Sequence, residues 1–157
     1  MTPTHTVDRV AQALECGYDE MCTLVTHFTT SDQLDRFSRS YNANDGFEPL
    51  CCVVGHPECS AGTALFIYWQ FHELLGDPQA RATLDGEPAR WNANALLCAI
   101  ERRYPDGFRL QGIACDPIAD CARAFGPAYV ESIRAQHEGS PLMQPPPAPS
   151  DAKESPR

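Results

Sequence analysis

The chain has 157 residues, 43% of them hydrophobic, with 21 acidic against 12 basic side chains and a formal net charge of −9. That size and composition suit one domain with a core of its own, and the charge balance argues against general binding to DNA, RNA or an anionic membrane; it would attract a basic partner, although an acidic surface that simply aids solubility is the plainer reading. The first 61 residues hold nine carboxylates against three cations, so two-thirds of the negative excess lies there.

The opening stretch MTPTHTVDRVAQALE lacks the cationic and apolar runs of a secretory leader, so the eight cysteines are expected as reduced thiols of a cytoplasmic protein. Val7, Val10, Ala11 and Leu14 recur at i, i+3, i+4 and i+7, which predicts an amphipathic helix capped by Thr6 and ended by Gly17. A second helix begins near Asp19, with Met21, Leu24, Val25 and Phe28 on one face. Asp19 and Glu20 sit in its first turn, where carboxylates favour the helix dipole. Ser31 is expected to cap a third helix, SDQLDRFSRSY, which turns Leu34, Phe37 and Tyr41 inward and stops at the turn Asn42-Ala43-Asn44-Asp45-Gly46. Phe47 to Val54 reads as a short buried helix that starts at Pro49 and ends at Gly55, and His56-Pro57 then forces a turn.

Cys59 or Ser60 opens the longest helix, over residues 61–75, in which Leu65, Phe66, Trp69, His72 and Leu75 share a face; being apolar almost all round, it is expected at the centre of the core. Gln70, His72 and Glu73 interrupt its apolar run well short of a membrane span. Gly76-Asp77-Pro78 ends it, and a loop through Asp85-Gly86-Glu87-Pro88 leads to a helix over Ala89 to Tyr104 with Leu96, Leu97, Ile100 and Tyr104 as its buried stripe. Residues 105–117 are irregular, with a small extended segment open at Phe108, Leu110 and Ile113. A helical pair follows, near Ile118 to Phe125 and Pro127 to His137. The fold class is therefore all-α: a compact helical bundle with irregular loops over residues 1–138. Residues 139–157, rich in Pro and Ser, are expected as a disordered, unpacked tail of polyproline character.

Cys52, His56 and Cys59, with Cys51 beside them, have ligand-like spacings of four and three residues, which suits zinc held by thiolate and imidazole. Structural zinc sites, however, usually pair two separated knuckles, and adjacent cysteines within an apolar run suit packing as small hydrophobes. No metal or cofactor is assigned, and a small zinc-binding or regulatory protein stands as the alternative function. Catalysis would need a nucleophile held by a base, yet His5, His27, His56, His72 and His137 are scattered; His56 beside Pro57 is the best candidate base, and capping a turn or bonding a backbone carbonyl explains it more simply. No catalytic residue is assigned. The aromatic group Phe66, Tyr68, Trp69 and Phe71 has helical spacing and no basic neighbour, so it reads as core rather than as a base-stacking platform.

The blocks NDGFE at 44–48, HPEC at 56–59 and GTAL at 62–65, followed by aromatic residues to Trp69, resemble the bacterial family catalogued as domain of unknown function 4274. The likeness runs over roughly residues 41–120 and includes Leu97-Cys98, Glu101, Gly107-Phe108, Ile113-Ala114 and Asp116-Pro117; Ser60-Ala61 and Glu73-Leu74-Leu75 depart from the pattern. The resemblance implies a small helical bacterial protein without an assigned reaction, of the kind often found beside toxins of interbacterial competition. It points to an immunity protein that binds a cognate, basic toxin and neutralises it by occlusion, a partner that an acidic face would steer. Asp32, Asp35, Asp45 and Glu48 are the partner-binding residues expected on that reading, although Asp45 in its turn and Glu48 at a helix start also have local roles.

Overall fold

In the computed structural model, which describes residues 6–110 and 115–146, ten α-helices follow one another and the described residues form no strand. They are α1 (Arg9–Glu15), α2 (Tyr18–Thr26), α3 (Ser31–Ser40), α4 (Glu48–Gly55), α5 (Ala61–Gln70), α6 (His72–Leu75), α7 (Pro78–Ala82), α8 (Ala93–Arg103), α9 (Pro117–Phe125) and α10 (Pro127–Gln136). Short 3-10 turns lie at Ala43–Asp45, Ala89–Trp91 and Pro141–Met143. The expected all-α class holds, and none of the described helices is long and apolar enough to cross a membrane.

Several helix starts differ from the expected ones for a common reason, because a cap needs extended backbone and an acceptor set two or three residues before the N–H it satisfies. Asp8, not Thr6, caps α1, its carboxylate accepting from the N–H groups of Val10 and Ala11 at 3.1 and 3.3 Å. Val7 is consequently left outside the helix, 64% exposed. Thr30, not Ser31, caps α3 in a reciprocal box: its hydroxyl accepts from Gln33 N–H, and the Gln33 side chain accepts from Thr30 N–H. Asn92 caps α8 at Ala93, so Ala89–Trp91 forms a separate 3-10 turn ahead of the helix. Asp77 and Pro78 do more than end the preceding helix; the carboxylate accepts from Ala80 N–H and the proline takes the first position of α7.

Helix α5 is the centre of the molecule, with every residue from Ala61 to Trp69 buried except the half-buried Phe66. It packs against α3, α8 and α9, while α2 lies on α4 and α1 crosses α2 and α3. The helix does not run on to residue 75. At Phe71 (φ −98°, ψ 30°) the ladder tightens and restarts as α6, and the Phe71 ring packs edge-on against Phe47 at 5.2 Å. Of the extended segment expected after the bundle's turn, one parallel bridge forms: Arg109 N–H donates to the Cys59 carbonyl and Ala61 N–H to the Arg109 carbonyl, at 2.9 and 2.7 Å. Ile113 lies outside the described residues.

The packed chain continues past residue 138, where a tail was expected. Leu142 and Met143 are buried, the Trp69 indole N–H donates to the Leu142 carbonyl at 2.9 Å, and Arg134 Nε–H donates to the Met143 carbonyl at 3.1 Å. A Pro-rich composition does not prevent docking when two apolar side chains fill a gap and two carbonyls satisfy a buried indole and a guanidinium. The rest of the expected tail, 147–157, lies outside the described residues.

One polar network joins the surface helices to the core. Arg81 on α7 forms a two-pronged pair with Glu101 on α8, at 2.6 and 2.9 Å, and the buried Tyr68 hydroxyl donates to the same carboxylate at 2.9 Å. Burial presses the Glu101 pKa upward, but the bonds from Arg81 and Tyr68 outweigh it and hold the group below its ordinary value of 4.5. A carboxyl lowered on folding contributes stability that is present above the unfolded value and is lost as pH falls through the folded one. Urea midpoints measured across pH should therefore drop on acidification below about 4.5, and Glu101→Gln should flatten that drop while lowering the midpoint at neutral pH; a profile unchanged by the substitution would remove Glu101 from the account.

Candidate functional site

The four expected contact carboxylates do not form one surface. Asp35 is buried, 8% exposed, with Oδ1 accepting from the Thr63 hydroxyl at 2.9 Å and Oδ2 from Arg39 Nε–H at 2.7 Å. Arg39 in turn lies 4.4 Å over the Phe66 ring. Asp35 is thus a peg between α3 and α5, and its place in the exposed set is corrected. Its i+4 spacing to Arg39 was visible in the sequence, whereas its partner Thr63 is 28 positions away. Asp32 is exposed in the first turn of α3. A ten-residue helix is about 15 Å long, so Asp32 stands at the opposite end of α3 from Asp45. Asp45 and Glu48 remain together, flanking Gly46 and Phe47.

The backbone between them is held from several sides. The Tyr41 hydroxyl donates to the Gly46 carbonyl at 2.6 Å and Arg90 Nε–H to the Asp45 carbonyl at 3.1 Å. Phe47 N–H donates to the Arg90 carbonyl at 2.9 Å, and Glu48 N–H to the Tyr18 hydroxyl at 3.3 Å. Asn42 closes the turn from within, its side-chain oxygen accepting from Asn44 N–H. Gly46 sits at φ +131°, and a Cβ there would lie 2.5 Å from Tyr18 Oη and 2.7 Å from Arg90 Cγ. The turn therefore needs glycine both for its backbone angle and for the closeness of its neighbours.

With the main chain so engaged, Asp45 is exposed and Glu48 half-buried. Among the described residues, neither Asp45 nor Glu48 takes part in an ion pair. The Arg90 guanidinium is stacked, 4.1 Å from the Tyr18 ring centre and 5.1 Å from that of Trp91, and Trp91 is 44% exposed. Tyr18, Arg90 and Trp91 were not singled out in the sequence. Arg90 lies 45 positions from Asp45, and no local pattern signals a contact at that range. Burial, then Cys52, then the charges of Glu48 and Asp19 push the Cys22 thiol up to about 12.

The thiol and imidazole groups of residues 51–59 lie in different surroundings. Cys59 is fully buried, its thiol hydrogen-bonded to the Ser60 carbonyl, and burial pushes its pKa up to about 12. His56 Nδ1 accepts from Glu58 N–H at 3.0 Å, the turn-capping role. Cys52 and His56 share an open hollow of about 490 Å³ with Thr26, Phe28, Pro57 and Glu58, a lining that leaves Cys59 out. Among the described residues no three His, Cys, Asp or Glu side chains are grouped as ligands for a metal ion, and all eight cysteines are free thiols. The other described histidines also have local partners: His27 Nδ1 is 2.9 Å from the Thr23 carbonyl, His72 Nδ1 2.7 Å from Tyr129 Oη and His137 Nε2 2.7 Å from the Leu75 carbonyl.

A family model described as "Domain of unknown function (DUF4274)" matches residues 29–104, and this segment, a little under half of the chain, is assigned to that family. The match contains the Asn42–Glu48 turn, Arg90 and Trp91, and begins earlier than the residue blocks suggested; the likenesses at Gly107-Phe108, Ile113-Ala114 and Asp116-Pro117 fall beyond it. No curated protein and no solved structure matches the chain.

Two stability measurements check the division between peg and surface. Asp35→Ala leaves Thr63 and Arg39 without their acceptor and should cost about 1.5–3 kcal/mol in denaturant unfolding, while Asp45→Asn with Glu48→Gln should change stability by no more than about 0.5 kcal/mol. Gly46→Ala should cost about 1–3 kcal/mol from the backbone angle alone, with more from displacing Tyr18 and Arg90; a neutral result would show that the turn is free to adjust.

Proposed function

We propose, from the DUF4274 segment that spans residues 29–104, that this protein is an immunity protein: it binds a cognate basic toxin of interbacterial competition in the cytoplasm and neutralises it by occlusion rather than by catalysis. The observation that carries the reading is the Asn42–Glu48 turn, where a backbone anchored by Tyr18, Tyr41 and Arg90 presents Asp45 and Glu48 as carboxylates without an intramolecular ion pair among the described residues. A rigid, charged surface of this kind lowers the ordering cost of association and accelerates encounter with an opposite charge. The net charge of −9 strengthens that steering at long range and discourages a polyanionic target. Within the expected set, Asp45 and Glu48 form the contact centre, Asp32 is an outlying contact, and Asp35 acts only through the fold.

The test is co-purification of the full chain with the product of the adjacent gene, followed by protection of cells that express that product. Wild type should bind and protect, and Asp45→Lys with Glu48→Lys should lose protection while keeping the native circular-dichroism spectrum and lowering the on-rate at least tenfold at low salt. Neither complex nor protection would sink the proposal, and metal analysis of the purified protein would then take up the alternative in which Cys52, His56 and Cys59 bind zinc.

A further inference from the structure

Three large hydrophobic side chains are well exposed among the described residues: Val7, Trp91 and Phe125. Phe125 is packed by its own neighbours, with His72 at 4.6 Å and Tyr129 at 5.5 Å between ring centres, and Val7 stands alone before α1. Trp91 differs in what surrounds it. It ends an exposed stretch from Asp85 to Trp91, and one side of its indole is lined by the Arg90 guanidinium, itself stacked on Tyr18 and tied to the Asp45 carbonyl.

We infer that Trp91 is the apolar anchor of the acidic face, and that it is received by a protein segment presenting an aliphatic side chain flanked by lysine or arginine. The inference rests on the immunity reading only for the partner's identity; the chemistry of the segment follows from the surface. Asp45, Glu48 and, four residues before the indole, Glu87 supply negative charge, and none of them is in an ion pair among the described residues. Arg90 is the cation closest to the indole in the chain, and its guanidinium is stacked against Tyr18 and Trp91 with Nε–H given to the Asp45 carbonyl, so the three carboxylates outnumber one engaged cation. A cationic segment would meet carboxylates around an aromatic face, which attracts ammonium and guanidinium groups in its own right, while its aliphatic side chain covers the exposed part of the indole. Tryptophan, tyrosine and arginine are the residues on which interface energy most often concentrates, particularly when held in place before binding. Arg90 performs that holding: its side chain and carbonyl fasten the Trp91 turn to Asp45 and Phe47.

The two tryptophans make the test direct, since Trp69 is only 3% exposed and Trp91 dominates the quenchable emission. The full chain is titrated to about 10 mM, near the weak limit of specific binding, with the peptides Lys-Leu-Lys-Lys-Leu-Lys, hexalysine and Glu-Leu-Glu-Glu-Leu-Glu. Fluorescence, acrylamide quenching and NMR shift changes are followed. The lysine–leucine peptide should blue-shift and protect Trp91, hexalysine should bind roughly tenfold more weakly and the glutamate peptide should not bind. Trp91→Ala should weaken the lysine–leucine complex roughly tenfold or more, Trp91→Phe should recover part of that loss, and added salt should reduce binding to both cationic peptides. No response to any peptide, equal binding of the glutamate peptide, or undiminished binding by a folded Trp91→Ala variant would overturn the inference. Peptide binding with no protection from the adjacent gene's product would leave this surface standing and remove the immunity reading. Protection by wild type and Trp91→Ala alike would do the reverse.

Discussion

A helix that is apolar on nearly every side has to be enclosed, and the enclosure of Ala61–Trp69 places most of the other elements. Leu65, Ile67 and Tyr68 are almost completely buried, and α3, α8 and α9 close around them. Two polar demands within that wrapping are met from a distance. The Thr63 hydroxyl donates to Asp35 on α3, and the Trp69 indole donates to the carbonyl of Leu142, 73 positions later. Leaving either donor buried without an acceptor costs on the order of 1–3 kcal/mol, so the same helix that supplies the apolar driving force also selects which segments lie against it.

Packing on that scaffold explains why the Asn42–Glu48 turn is rigid although it lies at the surface. The turn joins α3 to α4, two helices fixed by burial of Phe37 and Leu50, and the chain returns to it at Arg90 after passing through α5, α6 and α7. Arg90 and Tyr18 then take up the turn's carbonyl and N–H groups. The main chain is satisfied by protein groups, and neither Asp45 nor Glu48 holds the loop through an ion pair among the described residues. The exposed Asp45 side chain is then open to a partner that need not first dismantle the fold.

Burial also sets the state of the thiols in the Cys51–Cys59 segment. Cys59 lies inside the core and Cys51 is largely enclosed, and burial raises both, to about 12 and about 11, which keeps the thiol form at neutral pH. His56 gives one ring nitrogen to Glu58 N–H. Linear spacing of four and three residues is therefore compatible with side chains that serve packing and a turn, because a helix followed by a sharp turn sends neighbouring side chains to different surroundings.

Much of the architecture was legible in the sequence because helical periodicity is local. The apolar stripes at Met21, Val25 and Phe28, at Leu34 and Phe37, and at Leu96, Leu97 and Ile100 are buried as their spacing required, with Leu24 of the first stripe half-buried, and NDGFE marked a turn that the structure contains. The same local information was silent wherever the deciding atom came from far along the chain. Asp35 looked like one more surface carboxylate until Thr63 met it, and the Pro-rich end looked unpacked until Leu142 and Met143 filled the gap beside Trp69. Tyr18 and Arg90 became neighbours of the Asn42–Glu48 turn only on folding. Periodicity and capping act over a turn or two of chain, so the sequence by itself determined most of the helices and much of their inward faces, but not their breaks at Phe71 and Ala93 or the short helix α7. The choice of which polar groups are consumed inside and which are left for a partner depends on contacts between distant residues, and only the tertiary structure decided it.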